Sequence, residues 1–177
     1  MTTLDKIIAT RKQQGLSKAR LADLMNYSRS NISRVESGER KLTPDYITQF
    51  KEALDAPDLP LNIEDERNFL DKLHNWREAV FRYDVSVAND TYPAIARVAS
   101  LTLDSDLRIL CQLFMLSYYR ITNAMDKYDT LFNELEAQVD VFNNEHNIGS
   151  IAKAAPDIFM RVDTVLHWMR ISSLLNA

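Results

Sequence analysis

The chain has 177 residues, 46% of them hydrophobic and 26% charged, with only three glycines. That length suits a small domain joined to a medium one, and the scarcity of glycine argues against the tight turns that many short strands require. An all-α fold is therefore expected, an N-terminal bundle of four to five short helices joined to a C-terminal α-helical bundle or α-hairpin stack. The net charge of −4 would by itself argue against nucleic acid, but the average conceals two halves. Residues 1–54 carry ten Lys/Arg against six Asp/Glu, giving +4, and residues 55–177 carry eleven against nineteen, giving −8. A basic module on an acidic body is what phosphate binding at one end needs.

The single cysteine, Cys111, lies in the apolar run Leu110-Cys111-Gln112-Leu113-Phe114. It excludes an internal disulfide and a CxxC metal pair, and fits a reducing cytoplasm. Asp5, Lys6, Arg11 and Lys12 interrupt the N-terminus, which does not resemble a signal peptide, and no apolar run is long enough to span a bilayer. The expectation is a soluble, cytoplasmic chain with no membrane partner.

Hydrophobic spacing predicts helices at about 3–14 (Leu4, Ile7, Ile8), 18–25 (Leu21, Leu24), 29–36 (Ile32, Val35) and 43–54 (Tyr46, Ile47, Phe50, Leu54). Pro57 and Pro60, placed where the charge balance changes sign, predict a linker over 55–61. Beyond it Asn62 is suited to cap a long amphipathic helix with Phe69, Leu73, Trp76, Val80 and Tyr83 on one face. Further helices are expected at about 91–102, 105–122, 125–144 and 157–175, with breaks at Asn89-Asp90, Asp104-Ser105, Asn143-Asn144 and Asn147-Ile148-Gly149. The domains are thus 1–54, a linker at 55–61, and 62–177.

Residues 16–38 meet the physical needs of two helices joined by a tight turn. Ser17 caps the first, Ala22 is small where a second helix crosses, and Asn26 tolerates a left-handed turn. Ser28 caps the next helix, Ile32 and Val35 face inward, and Gly38 suits the C-terminal reversal. With these residues the segment resembles the Cro and phage-repressor helix-turn-helix family, the XRE family, over about residues 1–54. It departs from that pattern at Lys18, where the family carries Gln, at Asn26, where it carries the turn Gly, and at Tyr27, where it carries a small aliphatic residue.

The resemblance implies double-stranded DNA as partner, with helix 29–36 in the major groove. Arg29, Ser30, Asn31, Ser33 and Arg34 are then the candidates for base readout, since Arg pairs bidentately with guanine and Asn with adenine; Asn31 could equally bond a phosphate, and Arg34 could be a solvated helix residue. Lys18, Tyr27, Ser28, Arg40 and Lys41 are candidates for phosphate contacts. The resemblance also implies a structural ion pair between Glu36 and Arg11. One recognition helix covers few base pairs, so a homodimer on a palindromic operator is expected.

No catalytic or metal site is read. His74, His146 and His167 are far apart with no HxxxH or HExxH spacing, and the three glycines form no phosphate loop. No cofactor is expected, and the acidic run Glu64-Asp65-Glu66 suits the first turn of a helix. Leu113–Arg120 with Asp126–Leu135 resembles one degenerate tetratricopeptide helix pair, as in peptide-sensing regulators of Gram-positive bacteria, although Leu131 stands where such repeats carry alanine. Phe114, Tyr118, Phe132, Phe142, Phe159 and Trp168 are expected as core residues of a dimerising bundle. Two functions remain open: a transcriptional regulator, a repressor of a phage or mobile element, with a peptide or protein effector at the C-terminal domain; or an antitoxin that holds a partner protein and represses its own operon.

Overall fold

The structure, a computed structural model, describes residues 1–142, and side chains as far as Leu135. These residues are all-helical: α1 (Thr3–Gln13), α2 (Lys18–Leu24), α3 (Arg29–Glu36), α4 (Pro44–Ala53), α5 (Ile63–Phe81), α6 (Val85–Leu101), α7 (Ser105–Ile121) and α8 (Met125–Phe142). The helix expected at 157–175 lies outside the described residues, as do Phe159 and Trp168 and the side chain of Phe142. The chain divides into two compact units, Met1–Cys111 and a second that begins at Gln112.

In the first unit each short helix begins where a side chain replaces a missing backbone acceptor. Thr2 and Asp5 form a reciprocal capping box on α1, and Thr43 caps α4 with Pro44 in the first helical position. The four helices close over Ile7, Leu21, Ile32 and Phe50, all fully buried. Residues 55–61, expected as a linker, are packed into the same core: Ala56, Leu59 and Leu61 join it, together with Leu101 of α6. The prolines do stop the helix, with Asp55 left-handed at φ 52° just after α4, but the apolar residues interleaved with them turn inward.

Polar ties hold this segment as well. Lys51 Nζ lies 2.7 Å from Asp65 Oδ1, and Leu61 N–H donates to Asp65 Oδ2 at 3.3 Å. Lys72 pairs with Asp58 at 2.5 Å, while Arg97 of α6 donates from Nε (3.0 Å) and Nη2 (2.5 Å) to the Leu54 carbonyl at the end of α4. That carbonyl has no partner within its own helix, so the arginine satisfies one of the acceptors a helix end leaves open.

Asn62 caps α5, accepting from Asp65 N–H at 2.9 Å. Phe69, Leu73, Trp76 and Val80 are buried along one face, and the Trp76 indole donates to the Ala88 carbonyl of α6 at 2.9 Å. Tyr83, expected on that face, lies past the end of the helix: it is left-handed at φ 59° and 74% exposed. Its reversal lets α6 start at Val85 rather than near 91, because Asp84 accepts from Val87 N–H at 3.2 Å and supplies the cap. The break expected at Asn89-Asp90 is therefore helical, and Pro93 is accommodated inside α6.

In the second unit the part of α7 from Gln112 onward and α8 are joined by a short turn in which Asn123 is left-handed at φ 55°. Phe114 and Tyr118 are buried, as expected, while Phe132 is half-buried and stacks on Tyr128 at 5.9 Å between ring centroids. Cys111, at the end of the first unit, is fully buried, and burial pushes its thiol up to about 12. Only the thiolate is the effective nucleophile. At pH 8 about one thiol in ten thousand would be ionised, so native protein is expected to resist iodoacetamide while denatured protein is labelled once. Rapid stoichiometric labelling of the folded chain would contradict this placement.

Candidate nucleic-acid interface

The α2–α3 pair is built from local signals. Ser17 Oγ accepts from Arg20 N–H at 3.1 Å to start α2, and Ala22 is buried beneath the turn. Asn26 is left-handed at φ 53°, which brings Tyr27 N–H back to the Ala22 carbonyl at 2.9 Å. An asparagine adopts this conformation at little cost, so the absence of the family's glycine leaves the turn intact. Ser28 Oγ then accepts from Asn31 N–H at 3.1 Å and starts α3. Ile32 and Val35 are buried, and Gly38 at φ 78° reverses the chain so that Arg40 N–H reaches the Arg34 carbonyl at 2.8 Å.

The outer side of α3 carries Arg29, Ser30 and Arg34, all exposed, with Arg40 and Lys41 exposed just beyond it. Arg34 Nε is 3.8 Å from Glu39 Oε2, with both side chains over 60% exposed; such a pair restrains the guanidinium little. Ser30 Oγ lies 3.0 Å from Ser28 Oγ. The two remaining readout candidates are set deeper. Asn31 is half-buried with its Oδ1 enclosed and accepting nothing from the protein, and Ser33 is half-buried with its Oγ accepting from Lys18 Nζ at 3.3 Å.

Besides Ser28, whose hydroxyl caps α3, two more of the phosphate candidates are engaged inside the molecule. Tyr27 donates its hydroxyl to Asp45 Oδ2 at 3.0 Å and tilts against Tyr46 with ring centroids 5.7 Å apart. Partial burial and then the bond to Asp45 raise its phenol above the ordinary range. Gln49 donates to the same carboxylate oxygen at 3.1 Å. Sequence reading missed Asp45 and Gln49, and only the first-turn position of Asp45 on α4 offered any signal. Tyr46 is buried, and desolvation, followed by the charge of Glu36, pushes its phenol up to about 12.

Lys18 is the second of these two, and it belongs to the charge cluster behind α3. Arg11 grips Glu36 through both forks, Nε to Oε1 at 2.7 Å and Nη2 to Oε2 at 3.0 Å, while Nη1 donates to the Leu16 carbonyl at 2.5 Å. The two side chains are 8% and 5% exposed. Lys18 Nζ approaches Glu36 Oε2 at 3.4 Å. A cation in the first helical position opposes the helix dipole by about 0.3–1 kcal/mol, and the Glu36 carboxylate offsets that here. Its two oxygens thus join α1, α2 and α3 at one point.

Among the described residues no group of three or more His, Cys, Asp and Glu is placed to hold a metal, and no helix is long and apolar enough to cross a membrane. His74 is exposed; His146 and His167 lie outside the described residues. Residues 7–57 match the family model for helix-turn-helix proteins. No curated protein and no solved structure matches the chain. The match runs from within α1 through α4 to Pro57, and it is to a family of DNA-binding regulators.

Proposed function

We propose that this chain, whose residues 7–57 match the family model for helix-turn-helix proteins, is an XRE-type transcriptional repressor that binds a two-fold symmetric operator as a homodimer. The observation that carries this reading is the exposed cationic side of a doubly capped α3: Arg29 and Arg34 stand free of the core, with Arg40 and Lys41 beside them. Arg29 and Arg34 read bases from the major groove, Ser30 and Asn31 assist, and Arg40, Lys41 and Ser28 hold phosphates. Dimerisation sets two such helices about 34 Å apart, one turn of duplex.

On this reading residues 1–54 form the reader, and the acidic remainder from 62 onward forms the dimerisation and regulatory part. The packing of Ala56, Leu59 and Leu61 against the reader's core supports a stiff connection to α5 and α6. A peptide or protein effector would act by favouring one arrangement of the two heads over another. Selection of bound duplexes from a random pool tests the reading: paired, inverted half-sites with a fixed spacing are expected. Recovery of single, unpaired sites would remove the symmetric dimer, and recovery of no preferred sequence would remove the function itself.

A further inference from the structure

We propose that Lys18 is a positioning residue for base readout, holding the Ser33 hydroxyl oxygen as an acceptor so that Ser33 meets the duplex as a hydrogen-bond donor. The inference rests on α3 being the recognition helix. An ammonium group has three donors and no acceptor, so the 3.3 Å contact between Lys18 Nζ and Ser33 Oγ has one direction only. The lysine is itself held from behind by Glu36 Oε2 at 3.4 Å, and that carboxylate is fixed by Arg11. Lys18 is therefore aimed at Ser33 by a buried ion pair.

A serine hydroxyl has one hydrogen and two lone pairs. One lone pair is taken by Lys18, and the ammonium charge beside the oxygen repels the hydrogen of any second donor, so the remaining lone pair is disfavoured and the hydroxyl hydrogen is left for the duplex; no side-chain donation from Ser33 to the protein is present among the described residues. In the major groove guanine N7 and O6, adenine N7 and thymine O4 accept, whereas cytosine presents its N4 donor. Ser33 fixed as a donor would favour the first three over cytosine at the position it faces. The glutamine that the family carries at this place both donates and accepts, and would leave the hydroxyl free to serve either edge. The departure at Lys18 thus converts an ambiguous reader into a directional one.

Competition binding of the full chain against duplexes substituted one position at a time tests this, with Ser33→Ala, Lys18→Met, the double variant and Arg29→Ala compared with the unaltered protein. Lys18 is 37% exposed along its side chain, so the methionine variant is expected to fold, which a melting curve checks. Ser33→Ala should lose about 3- to 10-fold discrimination against cytosine at one position in each half-site, the range expected for one hydrogen bond. Lys18→Met should lose the same discrimination at the same position, and the double variant should lose no more. If Lys18→Met instead weakens all duplexes equally with a shallower salt dependence, Lys18 is a phosphate contact alone and the proposal fails. If Arg29→Ala changes the preference and Lys18→Met does not, only the role of Lys18 falls; if neither Arg29→Ala nor Ser33→Ala changes it, the assignment of α3 falls with it.

Discussion

Replacing Arg29 and Arg34 together with alanine is expected to erase the preference for one duplex over others while leaving the protein folded. Both side chains are exposed, and the one ion pair given up, Arg34 with Glu39 at 3.8 Å, is open to solvent. Exposed pairs of this kind contribute about 0–1 kcal/mol, and alanine is a better helix former than arginine, so the melting temperature should scarcely move. Readout is different. A bidentate arginine–guanine pair discriminates by about 1–3 kcal/mol, and losing even one such pair in each of two half-sites lowers preference between roughly 30-fold and 25,000-fold. Residual, salt-sensitive binding through Arg40 and Lys41 should persist, because phosphate contacts carry no sequence information. Competition between the selected operator and a scrambled duplex measures the effect directly. An unchanged ratio would remove α3 from the groove.

What could be read in advance follows the range of the interactions concerned. Ser17, Ser28 and Asn62 cap helices through backbone groups three residues away, and Asn26 turns the chain by its own conformation, so their signals are wholly local. The start of α6 was hidden because the α5 helix is ended by a left-handed Tyr83, a residue with no propensity for that region; the cap that mattered was Asp84, and the polar pair Asn89-Asp90 was an inviting but wrong boundary. Pro57 and Pro60 announced the end of a helix correctly, yet said nothing of where Leu59 and Leu61 would be buried. At the interface, the side chains whose placement differed most from expectation are those with distant partners: Tyr27 meets Asp45 eighteen residues on, and Lys18 meets Ser33 fifteen residues on. Residue type suggested a phosphate for both, and only the fold supplies the competing acceptors.

The cluster behind α3 leads to the second large effect. Glu36→Ala should destabilise the N-terminal helices by about 3–5 kcal/mol, because it leaves Arg11 charged in a site where its side chain is only 8% exposed. The reverse change, Arg11→Ala, strands two acceptors, the Glu36 carboxylate and the Leu16 carbonyl that Nη1 satisfies in the α1–α2 turn. Glu36 would keep Lys18 as its remaining partner, so the loss there is divided between a weakened ion pair and an uncapped turn. Replacing both by apolar residues, Arg11→Met with Glu36→Leu, should recover much of the stability, since removing a buried pair whole avoids the unpaired charge. Recovery should stay incomplete because the Leu16 carbonyl still lacks its donor. Denaturant melts of the three variants read these values, and operator binding measured well below each melting temperature separates support from recognition. If Glu36→Ala melts normally but fails to prefer the operator, the carboxylate acts at the duplex and not as the joint between helices.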